Sequence, residues 1–188
     1  EYPIVLLDRI AWIREVTDTT KRVVDIGCNQ GHLFEGYDRK NLTSVDIDLY
    51  DIENFVRADA QDLPFEDKKF DIAVLGEVVE HCPEPLKAIK EARRVAKQVI
   101  VTVPYEQKWT SALDPIMSKE DRLKKEGLDV EESARKGNPK AKDFYKEDNF
   151  QHLYHSHYFT PTTLHKLLKE AGFEKIYVCE IRRGDFVW

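Results

Sequence analysis

Glu77, Glu80 and His81 stand at positions i, i+3 and i+4, a spacing that sets two carboxylates and an imidazole on one face if the segment is helical. Such a trio suits a hard divalent cation with open coordination positions, Mg²⁺ or Mn²⁺. Without a metal, His81 is placed to act as a general base. A second chemical stretch runs Arg22-Val-Val-Asp25-Ile-Gly27-Cys28-Asn29-Gln-Gly31-His32. Val23, Val24 and Ile26 read as a short buried strand, Gly27 and Gly31 punctuate a turn, and a helical pattern opens at His32. Such a unit brings backbone close to a ligand at the carboxyl end of a parallel sheet, with the glycines leaving room and Asn29 tolerating positive φ. The dinucleotide fingerprint G-x-G-x-x-G fails, because Asn29 and His32 occupy positions where it needs glycine.

The flanking elements follow from hydrophobic period and punctuation. Pro3 to Val16 carries Ile4, Leu7, Ile10, Ala11 and Val16 at helical spacing, with Asp8, Arg9, Arg14 and Glu15 off the stripe, and is expected to cover a sheet face. Leu42–Ile47 reads as a second strand ending at Asp46, a carboxylate about 15–20 residues past the glycine turn and so placed to accept from ribose hydroxyls. Asp48 and Asp51 fit solvated loop acids better. The link from Asp48 to Asn54 is too short for a full crossover helix, which predicts an irregular connection. Phe55–Ala58 reads as a third strand, Phe70–Leu75 as a fourth closed by Gly76, and Gln98–Val103 as a fifth ended by Pro104. Between the last two, Pro85 opens a helix burying Leu86, Ile89 and Val95. Near the end, Thr160-Pro161 caps a helix with Leu164, Leu167, Leu168 and Ala171 on its stripe, and Gly172 stops it. Phe173–Ile181 is expected as a strand, and Phe186-Val187-Trp188 as the start of a last, antiparallel one.

Residues 105–150 are crowded with charge of both signs and breakers such as Gly137-Asn138-Pro139. They are expected either as a lid inserted after the fifth strand or as a solvated decoration, with Trp109, Met117 and Phe144 as anchors.

Several of these segments together resemble the class I S-adenosylmethionine (SAM) methyltransferases. Asp25-Ile-Gly27-Cys28-Asn29-Gln-Gly31 resembles their motif I, and Ser44-Val45-Asp46-Ile47-Asp48 their acidic strand end. Ala58-Asp59-Ala60-Gln61-Asp62-Leu63-Pro64-Phe65 resembles their D-A-x-x-L-P-F segment, and Glu77-Val78-Val79-Glu80-His81 their E-V-L-E-H. His155 and Phe159-Thr160-Pro161 onward resemble the tail of many small-molecule members. The resemblance implies one domain over residues 1–188. It also implies a Rossmann-like, doubly wound and mainly parallel α/β sheet of about seven strands, the last antiparallel. It places Asp25 near the cofactor's ammonium, with Gly27, Cys28, Asn29 and Gly31 forming the turn around its methionine end. Asp46 and Ile47 then lie at the ribose, Asp59 and Ala60 at the adenine, and Gly76 at the fourth strand tip. Leu63 and Ile47 are the apolar candidates beside the ring. In such enzymes the first helix can also border the cofactor.

The resemblance bears on the acidic trio as well. The metal-dependent small-RNA 2′-O-methyltransferases use a Glu-x-x-Glu-His set with a distant His, and counting back from Thr160 places that ligand at His155. The polyprenyl-catechol O-methyltransferases of ubiquinone synthesis share a similar stretch. The implied catalytic candidates are Glu80, His81 and His155, and the implied metal ligands Glu77, Glu80, His81 and His155. His81 acting without metal stays open. His152 and His157 alternate with His155, and each is expected to be solvated or packed unless it lines the pocket.

At 188 residues the chain suits one domain with a sizeable core. A net charge of −6 argues against binding nucleic acid through bulk positive field, though a local basic groove stays open. The cysteines, Cys28, Cys82 and Cys179, form no zinc or disulfide pattern. With no signal-peptide pattern or membrane-spanning run, a reducing, cytoplasmic setting is expected. Glu1 rather than Met opens the chain, which leaves upstream residues open. Three functions are open: SAM-dependent methylation of a small or lipid-like acceptor, metal-dependent 2′-O-methylation of an RNA terminus, and a non-catalytic SAM-binding partner subunit.

Overall fold

The computed structural model describes residues 9–104, 157 and 159–178. Residues 105–150, His152 and His155 lie outside the described residues, as do Pro3–Asp8 and the final segment from Cys179.

Five strands form one all-parallel sheet in the order β3-β2-β1-β4-β5. They are β1 (Val23–Ile26), β2 (Leu42–Asp46), β3 (Phe55–Arg57), β4 (Phe70–Gly76) and β5 (Ala96–Thr102). β1 lies at the centre, pairing Val23 with Leu42 on one side and with Ile72 on the other. Every residue of β1 is buried, which suits its β-branched run. The chain winds outward from β1 to β3, then returns across β1 to lay down β4. The reversal opens a crevice at the carboxyl ends of β1 and β4.

Alternation along the strands splits the core in two. Val24, Ile26, Val45, Ala73 and Leu75 face helices α2 (Pro85–Val95) and α3 (Pro161–Glu170), meeting Ile89, Ala92, Val95, Leu164 and Leu167. Val23, Leu42, Ile72 and Val74 face the other way, against Ile13 of helix α1 (Arg9–Val16) and Phe34. Fully burying each of the Val, Leu, Ile and Phe side chains among them contributes roughly 1.5–3 kcal/mol before entropy is charged against it. The α3 cap is a reciprocal box: Thr163 N–H donates to Thr160 Oγ1 (3.2 Å), and Thr160 N–H donates to Thr163 Oγ1 (2.8 Å).

Four expectations change. Ile13 is the buried anchor of α1, while Val16, expected on its stripe, is exposed. No α-helix follows the glycine turn; two single 3₁₀ turns, His32–Phe34 and Arg39–Asn41, fill that crossover. Gly36, at φ 83°, breaks the helical run, and Phe34, with Leu33 and Tyr37 beside it, packs on the sheet face a helix would have covered. Glu77–His81 forms a turn rather than a helix. Phe173–Val178 is irregular, with Tyr177 fully out in solvent, so the described sheet stops at five strands. The β2–β3 link is short and without a helix, as expected from its length.

Candidate cofactor crevice

The glycine turn closes over the end of β1 through backbone bonds. The N–H groups of Gly27 and Cys28 both donate to Val45 O, at 2.7 and 3.0 Å, and Gly31 N–H donates to Cys28 O at 2.9 Å. Gly27 and Gly31 are left-handed at φ 73° and 78°, with Asn29 at 48° between them. The space at Gly27 is not left for a ligand, as its sequence context implies. A Cβ there would overlap Val78 Cγ2, so the missing side chain lets the segment after β4 pack against the turn. Asn29 N–H then donates to Asp46 Oδ2 (2.8 Å), and Asp48 N–H to Asp46 Oδ1 (3.0 Å). Asp46 thereby holds the tips of β1 and β2 together. A carboxylate has about four acceptor positions, so these two bonds leave capacity for a diol.

Asp25 is the most unusual acid of the crevice. It is 1% exposed, and its Oδ2 has no hydrogen-bond partner among the described residues. Burial raises its pKa to about 7. The Arg39 guanidinium pulls the value down, the Asp46 carboxylate pushes it up, and Arg9 pulls it down again. A buried carboxyl with an open oxygen is a natural seat for an ammonium group. Burial also raises the thiols of Cys28 and Cys82 to about 12, with nearby carboxylates adding to the effect, so both stay protonated at neutral pH and neither is a nucleophile.

Beyond β3, both Asp59 oxygens accept from Gln61: its backbone N–H reaches Oδ1 at 2.8 Å, and its side-chain amide reaches Oδ1 at 3.1 Å and Oδ2 at 3.2 Å. Gln61 Oε1 in turn accepts from Glu84 N–H (2.8 Å), tying this loop to the start of α2. Ala60 and Ile47 are half-buried beside it. Leu63 is built into the core, which leaves Ile47 as the apolar candidate for a ring.

The acidic trio is dispersed by its turn. Glu77 is left-handed (φ 59°), its N–H held by Thr102 O (3.0 Å), and its carboxylate pairs with Arg9 Nε at 3.0 Å. Glu80 is buried, and His81 N–H closes the turn onto Val78 O at 2.9 Å. Among the described residues no three His, Cys, Asp or Glu side chains gather into a group that could hold a metal ion. His157 does reach this turn: its N–H donates to Glu80 O at 3.0 Å, its ring stacks on Phe159, and burial lowers its pKa.

Comparison with known proteins decides the family. Residues 3–178 match the family model described as a methyltransferase domain. The chain belongs to the methyltransferase domain family. Among curated relatives of this methyltransferase domain, cycloartenol-C-24-methyltransferase of Arabidopsis thaliana is 30% identical over 115 residues, covering 61% of this chain and 33% of the relative. The ubiquinone biosynthesis O-methyltransferase of Pseudomonas syringae pv. tomato is 28% identical over 106 residues, covering 47% and 46%. The chain thus spans about a third to a half of the length of these relatives. In fold it matches a SAM-dependent methyltransferase of Thermotoga maritima, a possible histamine N-methyltransferase. That match has TM-score 0.52 at 21% identity and covers 88% of this chain and 69% of that one. The Rossmann-like class I methyltransferase fold is therefore shown.

The residues present fit SAM. With SAM bound, the open oxygen of buried Asp25 would face its ammonium, the Asp46 carboxylate its ribose, and the Asp59 carboxylate beyond β3 its adenine amine. Two residues of the methyltransferase crevice were placed by their spacing on the solvent side of a helix. Arg9 pairs with Glu77, and Arg14 donates to Leu33 O (2.7 Å, Nε) and His32 O (2.9 Å, Nη2). Only their position, a turn and a half apart on one helix ahead of the first strand, hints at a shared inward task.

Proposed function

We propose that the protein transfers the methyl group of SAM to an oxygen, nitrogen or carbon of a small-molecule or lipid-like acceptor. The observation that carries this is the open Oδ2 of buried Asp25 in the β1/β4 crevice, one strand away from the Asp46 carboxylate. The cofactor, when bound, supplies an activated methyl on a sulfonium. The chain's own residues then have three tasks: fixing the amino-acid end at Asp25, fixing the sugar at Asp46, and keeping water from the crevice. An acceptor that carries a proton needs a base, and His81 and His155 are the candidates. Glu80 is buried inside its turn and suits orienting a neighbour better than meeting an acceptor. The named activities of the sterol and ubiquinone-pathway relatives support a small or lipid-like acceptor. So does the net charge of −6. No described helix is long and apolar enough to cross a membrane.

A second reading is metal-dependent 2′-O-methylation of an RNA terminus. It has one observation in its favour: His157 N–H donates to Glu80 O at 3.0 Å, which ties a histidine to the turn that carries Glu77, Glu80 and His81. One assay separates these from a non-catalytic SAM-binding subunit. The full chain is incubated with methyl-labelled SAM, a metabolite extract or short RNA, and either Mg²⁺ or a chelator. Label in small molecules regardless of chelator supports the first reading, and Mg²⁺-dependent label in RNA supports the second. SAM binding with no label in any fraction supports the non-catalytic subunit.

A further inference from the structure

The loop after β3 is tied to helix α2 at two separate points. Leu63 N–H donates to Glu91 Oε2 (2.9 Å), and Arg94 donates to Leu63 O (2.9 Å, Nη2) and to Phe65 O (2.6 Å, Nη1). Closer to β3, Gln61 Oε1 accepts from the backbone N–H of Glu84, the residue just before α2. That N–H can only donate, so the amide oxygen of Gln61 must face it and the amide NH₂ must face Asp59. Gln61 is thus set between a backbone donor and a carboxylate, and turning its amide over would lose both contacts.

The arrangement fixes Asp59 in turn. Three N–H contacts from Gln61 fall on its carboxylate, two from the side-chain amide and one from the backbone. A carboxylate has about four acceptor positions, so roughly one is left over. Asp59 and Gln61 are both half-buried, and Ala58 N–H, one residue earlier, donates to Asp46 O at 2.9 Å, which seats this loop beside the tip of β2. An acceptor position held in one direction separates a ring that carries an amine from one that does not, because without the amine it is left unpaired. A carboxylate free to rotate would turn that oxygen to water and separate them less.

We propose that Gln61 determines base specificity at this site: its amide holds Asp59 so that the remaining acceptor position meets the exocyclic amine of the cofactor's purine. Gln61 is a positioning residue, since it acts through Asp59, and its role rests on the SAM reading above.

The test is calorimetric binding of two compounds to the full chain and its variants. One is S-adenosylhomocysteine, and the other is the homocysteine thioether of purine riboside, which lacks only the exocyclic amine. The wild type should prefer the amine-bearing compound about tenfold or more, as a charge-assisted bond implies. Gln61→Met, which removes the amide, should cut that preference to about twofold and leave affinity for the purine compound unchanged, which also reports that the variant is folded. Gln61→Glu keeps an acceptor for Glu84 N–H but puts a carboxylate where Asp59 had a donor, so it should lose the preference as well. A preference that survives in either variant, or an equal loss of both compounds in both variants, would make Gln61 a brace for the loop and overturn its role in specificity. A wild type that binds both compounds equally also overturns it, while the SAM reading stands. If neither compound binds the wild type, the SAM reading itself fails.

Discussion

Two turns follow neighbouring strands, and each begins with a left-handed residue: Gly27 after β1 at φ 73° and Glu77 after β4 at φ 59°. The first is visible in the sequence and the second is not. Glycine is the residue of choice for a left-handed position, so Gly27 marks its own turn. A glutamate there carries no such mark, and its i, i+3, i+4 relation to Glu80 and His81 imitates a helix face. What holds Glu77 in place lies far off in sequence, with Thr102 O on its N–H and Arg9 on its carboxylate. The turns also interlock, since the side chain missing at Gly27 is the room Val78 occupies. A turn set by its own backbone is legible locally, whereas one set by partners from other elements is not.

The largest effect expected from breaking this comparison is at Gly27. Gly27→Val combines a left-handed penalty of about 1–2 kcal/mol with overpacking of about 1–3 kcal/mol. Urea unfolding should show a loss of several kcal/mol, and a Val78→Ala background should restore the overpacking share but not the backbone share. Full recovery in that background would mean the left-handed geometry costs nothing.

Asp25 comes next. Its folded pKa of about 7 lies above the ordinary carboxylate value, so the folded state holds this proton more tightly than the unfolded chain does. Its contribution to stability is complete below about pH 4 and is lost as pH rises through about 7. Relative to Asp25→Asn, which cannot titrate, the wild type should lose on the order of a few kcal/mol across that window. Parallel pH profiles of unfolding for the two proteins would show that Asp25 is not buried as a proton-bearing acid.

Asp46→Ala removes the acceptor of two backbone N–H groups and the proposed ribose anchor together. SAM affinity by calorimetry should fall about ten- to a hundredfold, as loss of charge-assisted bonds implies. Glu77→Gly should be the mildest: left-handed strain is relieved, but chain entropy and a half-exposed ion pair are lost, so stability should move by less than about 1 kcal/mol either way. A larger drop would mean that the Arg9–Glu77 pair anchors α1 to the tip of β4.

The central strands were readable because their β-branched runs are buried on both faces, as Val23, Val24 and Ile26 show. Asp46 was readable because its distance from the glycine turn is set by one strand–turn–strand unit. Arg9 and Arg14 were hidden because polar residues on an amphipathic helix look alike whether they meet solvent, a carboxylate or backbone carbonyls. Ile13 lost out to Val16 as the expected contact because helical periodicity defines a stripe, not which end of it the sheet covers. The missing helix after β1 escaped because Gly36 ends the run only once Phe34 has already filled the space beneath it.

The most direct measurement is a structure of the full chain bound to S-adenosylhomocysteine. The amino-acid end should lie in the crevice between β1 and β4 against Asp25, with the ribose hydroxyls on the Asp46 carboxylate. A nucleoside seated elsewhere on the sheet, or a ribose that leaves Asp46 bonded only to Asn29 and Asp48, would contradict the account.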